Sequence, residues 1–389
     1  MTQARTPRSL LRARAAPDHA RVTFVELFFD LVFAFAVTQL SHLLLAHLTA
    51  TGALQTLVLL LAVWWAWIDT SWATNWLDPE RTPVRLLLFA LMFLGMLLSA
   101  AIPGAFESQA LLFAAAYACM QIGRSVFMLW ALHGSEPRNF RNFQRILVWH
   151  VLVGALWLLG AYLHGAERAA VWIGAVAVEC AAPSLGFIVP GLGRSTTADW
   201  NVEGSHLAER CAGFVIIALG ESILVTGATA AEEPATAASV AAFIVAFLAS
   251  VAMWWIYFNI GAERGSRRIA SATDPGRLAR AAYTYVHVLI VAGIVVVAVA
   301  DAIVLMHPSE APTPRAAAVM VGGPALYLVG NLLFKRASAR FLPLSHLVGL
   351  VLLALLTAAQ GRFATLTFDA AATLVLIVVA TWETWSLRN

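Results

Sequence analysis

Apolar residues run through this chain in long unbroken blocks, without the stripes of surface helices or the alternation of half-buried strands. Crossing the hydrocarbon layer takes about 20 mostly apolar residues in a helix. Twelve blocks reach that scale: roughly 22–47, 53–72, 84–102, 109–132, 146–164, 169–190, 207–228, 237–260, 279–306, 316–334, 341–358 and 366–385. None carries the wide charged face of a helix lying on a membrane surface. The pattern predicts an all-α polytopic membrane protein with about 12 transmembrane helices.

The residues between the blocks set an orientation. With the N-terminus placed inside, inward-facing segments hold 20 of the 25 Lys and Arg residues, among them Arg138, Arg141, Arg145, Lys335 and Arg336. Outward loops hold only Arg168, Arg315 and Arg362; Arg124 and Arg210 lie within blocks. Such asymmetry is what the positive-inside rule requires of an even number of spans with both termini cytoplasmic. The Arg-rich segment 1–21 has no apolar core of its own and reads as a mobile, uncleaved cytoplasmic tail.

Composition narrows the class further. The chain is 60% hydrophobic and 12% charged over 389 residues, whereas soluble proteins carry about 25% charged residues. An ordinary soluble enzyme and a disordered or fibrous chain are both excluded. The net charge of +3 is scattered in short arginine clusters, with no basic face for nucleic acid. Cys119, Cys180 and Cys211 lie in apolar runs without a CxxC pair, which predicts buried thiols and neither a disulfide framework nor a metal site. Trp64, Trp65, Trp67, Trp72 and Trp76 cluster toward one end of the second block and read as an aromatic belt.

The halves of the chain echo each other in order. Trp64-Trp65 followed by Asp69 matches Trp254-Trp255 followed by Asn259; Gly123-Arg124 matches Gly330-Asn331; His150 matches His346; and Glu179 matches Glu383. This predicts two parallel six-helix pseudo-repeats, 22–190 and 207–389, joined by a cytoplasmic linker at 191–206.

Charges at lipid depth pair, line water or do chemistry. Glu26 and Asp30 lie four residues apart on one helical face, continued by Gln39 and His42. Asp69 and Arg124 fall at similar depth and read as a buried ion pair or gate, since their counterparts Asn259 and Asn331 are both uncharged; Asp30 is a second possible partner for Arg124. Glu209 and Arg210 open the seventh block, either at the interface or in that buried set. Glu221, about 20 Å along the same helix, stands between Gly220 and Ser222 as a candidate transport or proton site, with Glu179 and Gln39. His150, His346 and His42 read either as satisfied structural histidines or as a proton relay. No P-loop, HExxH or GxSxG motif appears, and no cofactor is expected.

The runs FVELFFDLVFAFAVTQLSHLL at 24–44 and AERCAGFVIIALGESIL at 208–224 resemble the two signature stretches of the bacterial low-temperature-requirement protein A (LtrA) family, over about 20–385. The resemblance implies that Glu26, Asp30, Gln39, Glu209, Arg210, Glu221 and Ser222 are the family's polar signature, and that the chain lies in the bacterial inner membrane. The family name records a growth phenotype in the cold. The reading favoured is an ion- or proton-linked secondary transporter or permeation pathway, with lipids, an unidentified small solute or ion and a second copy of the chain as partners. The alternatives are a membrane-embedded enzyme or lipid-handling protein adapting the bilayer to cold, and a sensor binding a partner at the 261–278 loop.

Overall fold

The computed structural model describes residues 9–12, 22–134, 136–196, 200, 202–232, 234–259, 265, 268–269, 274–339 and 342–386. Most of the 261–278 loop and most of the segment 1–21 therefore fall outside the described residues. The described chain is all-helical. Its helices are α1 (Phe24–Ala46), α2 (Ala50–Trp76), α3 (Thr82–Ala101), α4 (Ala110–Leu132), α5 (Pro137–Tyr162), α6 (Gly165–Ala181), α7 (Gly204–Glu232), α8 (Ala237–Phe258), α9 (Pro275–Met306), α10 (Pro314–Ala339), α11 (Leu344–Thr357) and α12 (Thr365–Ser386). Among the described residues ten are long and apolar enough to cross a membrane; α6 and α11, of 17 and 14 residues, are shorter. The block expected to reach residue 190 ends at Ala181: Pro183 has no N–H to donate to the preceding turn, and the chain turns away through Gly186 at φ +65°.

Local chemistry sets the ends. Pro lies in the first turn of α3 and α5, where its missing N–H costs nothing. Thr236 and Ser239 form a reciprocal capping box at α8. Asp274 accepts from the Arg277 amide at 2.9 Å and opens α9.

The chain forms two compact units, one of Met1–Gln39, Gln55–Arg210 and Ala272–Arg280, the other of Leu40–Leu54, Cys211–Ser271 and Ala281–Asn389. The first is knit by the aromatic stack of Phe113, Trp157 and Trp172, whose centroids lie 4.8–5.8 Å apart. The tryptophans read as an aromatic belt belong to this interior: Trp64, Trp65, Trp67 and Trp76 are buried. Only Cys211 of the three cysteines is buried; Cys119 is exposed, and none forms a disulfide.

In the second unit α9 is buried on every side from 290 to 305 except at Val296. It meets α10 backbone to backbone, because small residues are what let membrane helices approach closely. A Cβ on Gly293 would fall 2.6 Å from the Tyr327 nitrogen, and one on Gly323 would fall 2.8 Å from the Val297 nitrogen. Residues 279–286 of α9 are wound as π-helix.

Candidate functional site

Among the described residues, three clusters that bring acidic and basic side chains together are buried in the helices. The first gathers the starts of α1 and α7 and the end of α2. Glu26 and Asp30 lie one turn apart on α1, and His206 and Arg210 one turn apart on α7, so the two faces match in spacing. Arg210 Nη1 lies 3.1 Å from Glu26 Oε1, and Arg210 Nη2 lies 2.6 Å from Asp30 Oδ1. Trp67 Nε1 donates to Asp30 Oδ1 at 2.7 Å. The N-terminal segment adds a second guanidinium: Arg12 Nη2 donates to both Glu26 oxygens at 3.0 and 3.1 Å. Arg12 is held there by its Nε, which donates to the Thr74 and Leu77 carbonyls, and by its amide, which donates to Trp76 O at 2.7 Å. Residues 9–12 of the expected mobile tail are therefore docked.

The partners of His206 engage both of its ring nitrogens. Asn75 Oδ1 accepts from the Glu203 amide at 2.8 Å, which fixes Asn75 Nδ2 as a donor to His206 Nδ1 at 3.3 Å. His206 Nε2 lies 2.9 Å from Glu26 Oε1, which calls for a hydrogen on that nitrogen, and 3.2 Å from Arg12 Nη2, which calls for a lone pair. Two carboxylates face two guanidiniums, and the fixed charges cancel.

The second cluster joins α2, α4, α5 and α6 in the same unit. Asp69 Oδ2 accepts from Gln121 Nε2 at 3.0 Å and from Arg124 Nη2 at 3.2 Å, and His150 Nε2 stands 3.3 Å away. Gln121 Nε2 also donates to Glu179 Oε1 at 2.8 Å, and the Tyr117 hydroxyl donates to Glu179 Oε2. Arg124 reaches back to Thr70 Oγ1 at 3.1 Å and to the Gln121 side-chain oxygen. His150 Nδ1 faces the Gln121 carbonyl at 3.1 Å and Ser125 Oγ at 2.7 Å. The Asp69 side chain is 20% exposed and those of Arg124 and His150 are 3% and 7% exposed, so Asp69 is the member most open to the surroundings. One ligating atom each from Asp69, His150 and Glu179 lie within 4.8 Å of one another, a donor set that fits a small cation. Two carboxylates here face one guanidinium, an excess of one negative charge.

The third cluster, in the other unit, joins α10, α11 and α12. Lys335 Nζ donates to the Glu383 oxygens at 2.6 and 2.7 Å and to the Ile256 carbonyl at 3.1 Å, and His346 Nε2 lies 3.4 Å from it. One ammonium meets one carboxylate, and the charges cancel.

Asp69 and Arg124 thus pair, whereas Asp30 meets Arg210 and not Arg124. Arg210 is fully buried and its neighbour Glu209 is exposed, so Glu209 stands outside the buried ion-pair set. Glu221 and Gln39 are half-buried, Ser222 is buried and His42 is exposed. Sequence reasoning missed Arg12, His206, Tyr117, Gln121 and Lys335. A signal existed for His206, whose four-residue spacing from Arg210 repeats that of Glu26 and Asp30; none existed for Arg12 within an arginine-rich tail.

The family model described as "Bacterial low temperature requirement A protein (LtrA)" matches residues 21–381. A protein of Rhizobium meliloti (strain 1021) named "Uncharacterized protein RA0937" is 39% identical over 372 residues, which is 96% of this chain and 91% of that one. No solved structure matches. The chain belongs to the bacterial low temperature requirement A (LtrA) family.

Proposed function

We propose that this LtrA protein is a proton-linked secondary transporter or permeation pathway of the bacterial inner membrane, with Asp69, His150 and Glu179 as its titrating centre. It would cross the membrane twelve times as two parallel six-helix halves, with both termini cytoplasmic. The short helices α6 and α11 serve as the sixth and eleventh spans in this reading.

The observation that carries the proposal is a difference in charge between two similar clusters. A base, a histidine and a glutamate come from the fourth, fifth and sixth helices of the first half as Arg124, His150 and Glu179, and from the corresponding helices of the second half as Lys335, His346 and Glu383. The second trio is neutral. The first gains Asp69, where the second half has Asn259, and so carries one negative charge too many. An uncompensated charge at lipid depth is costly, and one exchangeable proton removes it. His150 supports this role, because both of its ring nitrogens face oxygen acceptors. Glu26 and Asp30 are engaged by arginines and closed off, which suits a clamp better than head-group chemistry. Glu221, Ser222 and Gln39 are kept as polar positions along the solute's path.

The test is proton movement into proteoliposomes under an imposed gradient, read with an internal pH dye during a solute screen. Asp69→Asn and Glu179→Gln are expected to lower the rate by about a hundredfold, the scale of a positioned proton-transfer group. Glu383→Gln should leave it near the wild-type value. Unchanged flux in both first-cluster variants would overturn the proposal.

A further inference from the structure

The Asp69 cluster leaves one buried nitrogen without the partner its geometry demands. His150 Nδ1 faces two oxygens, the Gln121 carbonyl at 3.1 Å and Ser125 Oγ at 2.7 Å. The carbonyl can only accept, and the Ser125 hydroxyl gives its own hydrogen to that same carbonyl at 2.9 Å. These contacts place the ring hydrogen on Nδ1. Nε2 is left with a lone pair that points at Asp69 Oδ2, 3.3 Å away. Among the described residues no donor reaches Nε2, and the His150 side chain is only 7% exposed. A lone pair set against a carboxylate in a buried place calls for something positive beside both. An imidazole whose far nitrogen is tied to a backbone carbonyl is also how metal-binding histidines are held.

The spacing fits an ion. Two ligands of a tetrahedral ion at about 2.0–2.1 Å stand about 3.3–3.4 Å apart, which is the separation of His150 Nε2 from Asp69 Oδ2. Glu179 supplies a third ligand, one donor atom of each residue lying within 4.8 Å of the others. The Gln121 amide nitrogen marks the gap between the carboxylates, donating to Asp69 Oδ2 at 3.0 Å and to Glu179 Oε1 at 2.8 Å. The positive end of a dipole thus already holds that place, on an unbranched side chain whose rotation vacates it. Asp69, 20% exposed, is the side from which an ion enters.

We infer that Asp69, His150 and Glu179 bind a divalent first-row cation of the manganese-to-zinc series. The two carboxylates match such an ion charge for charge. One imidazole beside two carboxylates favours this series over sodium, magnesium and calcium, which take oxygen ligands. The inference deepens the proposed function and rests on it for one step, that the bound ion is the solute exchanged for the proton; the binding site stands on the geometry.

The experiment uses the full purified chain in detergent with manganese(II) chloride as the probe, free ion being followed by electron paramagnetic resonance. One manganese per chain is expected to bind saturably. Zinc chloride should displace it at lower concentration, the affinity order of a nitrogen and oxygen site, and magnesium chloride only in large excess. His150→Gln and Asp69→Asn should each weaken binding by about tenfold or more, and Glu383→Gln should leave it unchanged. Should the first two variants fail to fold, the wild-type chain decides: pulsed resonance of the bound manganese is expected to show coupling to an imidazole nitrogen. No saturable binding of manganese or zinc, bound manganese without nitrogen coupling, or unchanged affinity in His150→Gln and Asp69→Asn would each overturn the inference. Absent binding with proton flux intact would leave the proton-linked reading standing, and binding without proton flux would remove that reading and keep the cation site.

Discussion

At the scale of single residues, stability rests on charges that cannot be removed one at a time. Arg210 is fully buried between Glu26 and Asp30. Replacing it with Met strands a carboxylate, and breaking a buried pair from one side costs about 3–5 kcal/mol. Chemical unfolding in detergent should show that loss, and Asp30→Asn added to Arg210→Met should recover part of it; equal stability of the single variant and wild type would contradict the pairing. Arg12 makes a related prediction. Arg12→Ala removes the guanidinium that ties residues 9–12 to Glu26, so limited proteolysis should clip the N-terminal segment faster than in wild type, and an unchanged rate would count against the docked geometry. The sequence made Asp69 and Arg124 legible as a pair because their second-half counterparts are jointly uncharged. It could not do the same for Asp30: periodicity places a residue on a face but does not say which helix that face meets. Lys335 was hidden for another reason. It lies at the end of its apolar block beside Arg336, where a loop lysine and a buried one look alike.

At the scale of elements, helix existence was written in the blocks, and helix ends less so. Long apolar runs must form helices because lipid offers the backbone no other partner. Their termination at Ala181 depended on Pro183. The tryptophans near the end of α2 show where composition misleads: an aromatic belt and a buried aromatic core have the same sequence, and only packing tells them apart. The α9–α10 contact supplies a sharp test within one dipeptide. A Cβ on Gly323 would meet the Val297 backbone, whereas one on Gly322 would have nothing within 4 Å. Gly323→Leu should lower the thermal midpoint or prevent folding, at a cost of about 1–3 kcal/mol or more as in an overpacked core. Gly322→Ala should stay within about 0.5 kcal/mol of wild type. Equal behaviour of the two would contradict close backbone packing at this crossing.

At the scale of the whole molecule, orientation and charge balance are the two properties that bear on function. The arginine asymmetry predicts that a cysteine placed at Arg315 is labelled by an impermeant maleimide in intact cells, and one at Arg138 only after permeabilisation; the reverse pattern would invert the topology. The charge balance is what the structure added to the sequence. Matching His150 with His346 and Glu179 with Glu383 required only the order of residues. That one trio is neutral and the other is joined by Asp69 required coordinates, because Lys335 and Gln121 had first to be seen in place.

The most direct measurement is isotope-edited infrared spectroscopy of the buried carboxyls in the reconstituted protein, titrated with pH. One exchangeable proton resident among Asp69, His150 and Glu179 predicts a carboxyl signal that titrates in wild type, is lost or displaced in Glu179→Gln and Asp69→Asn, and is unaltered in Glu383→Gln. Spectra in which Glu179→Gln and Asp69→Asn leave every carboxyl band unchanged would show that no such proton is held there, and the transport reading would fall with it.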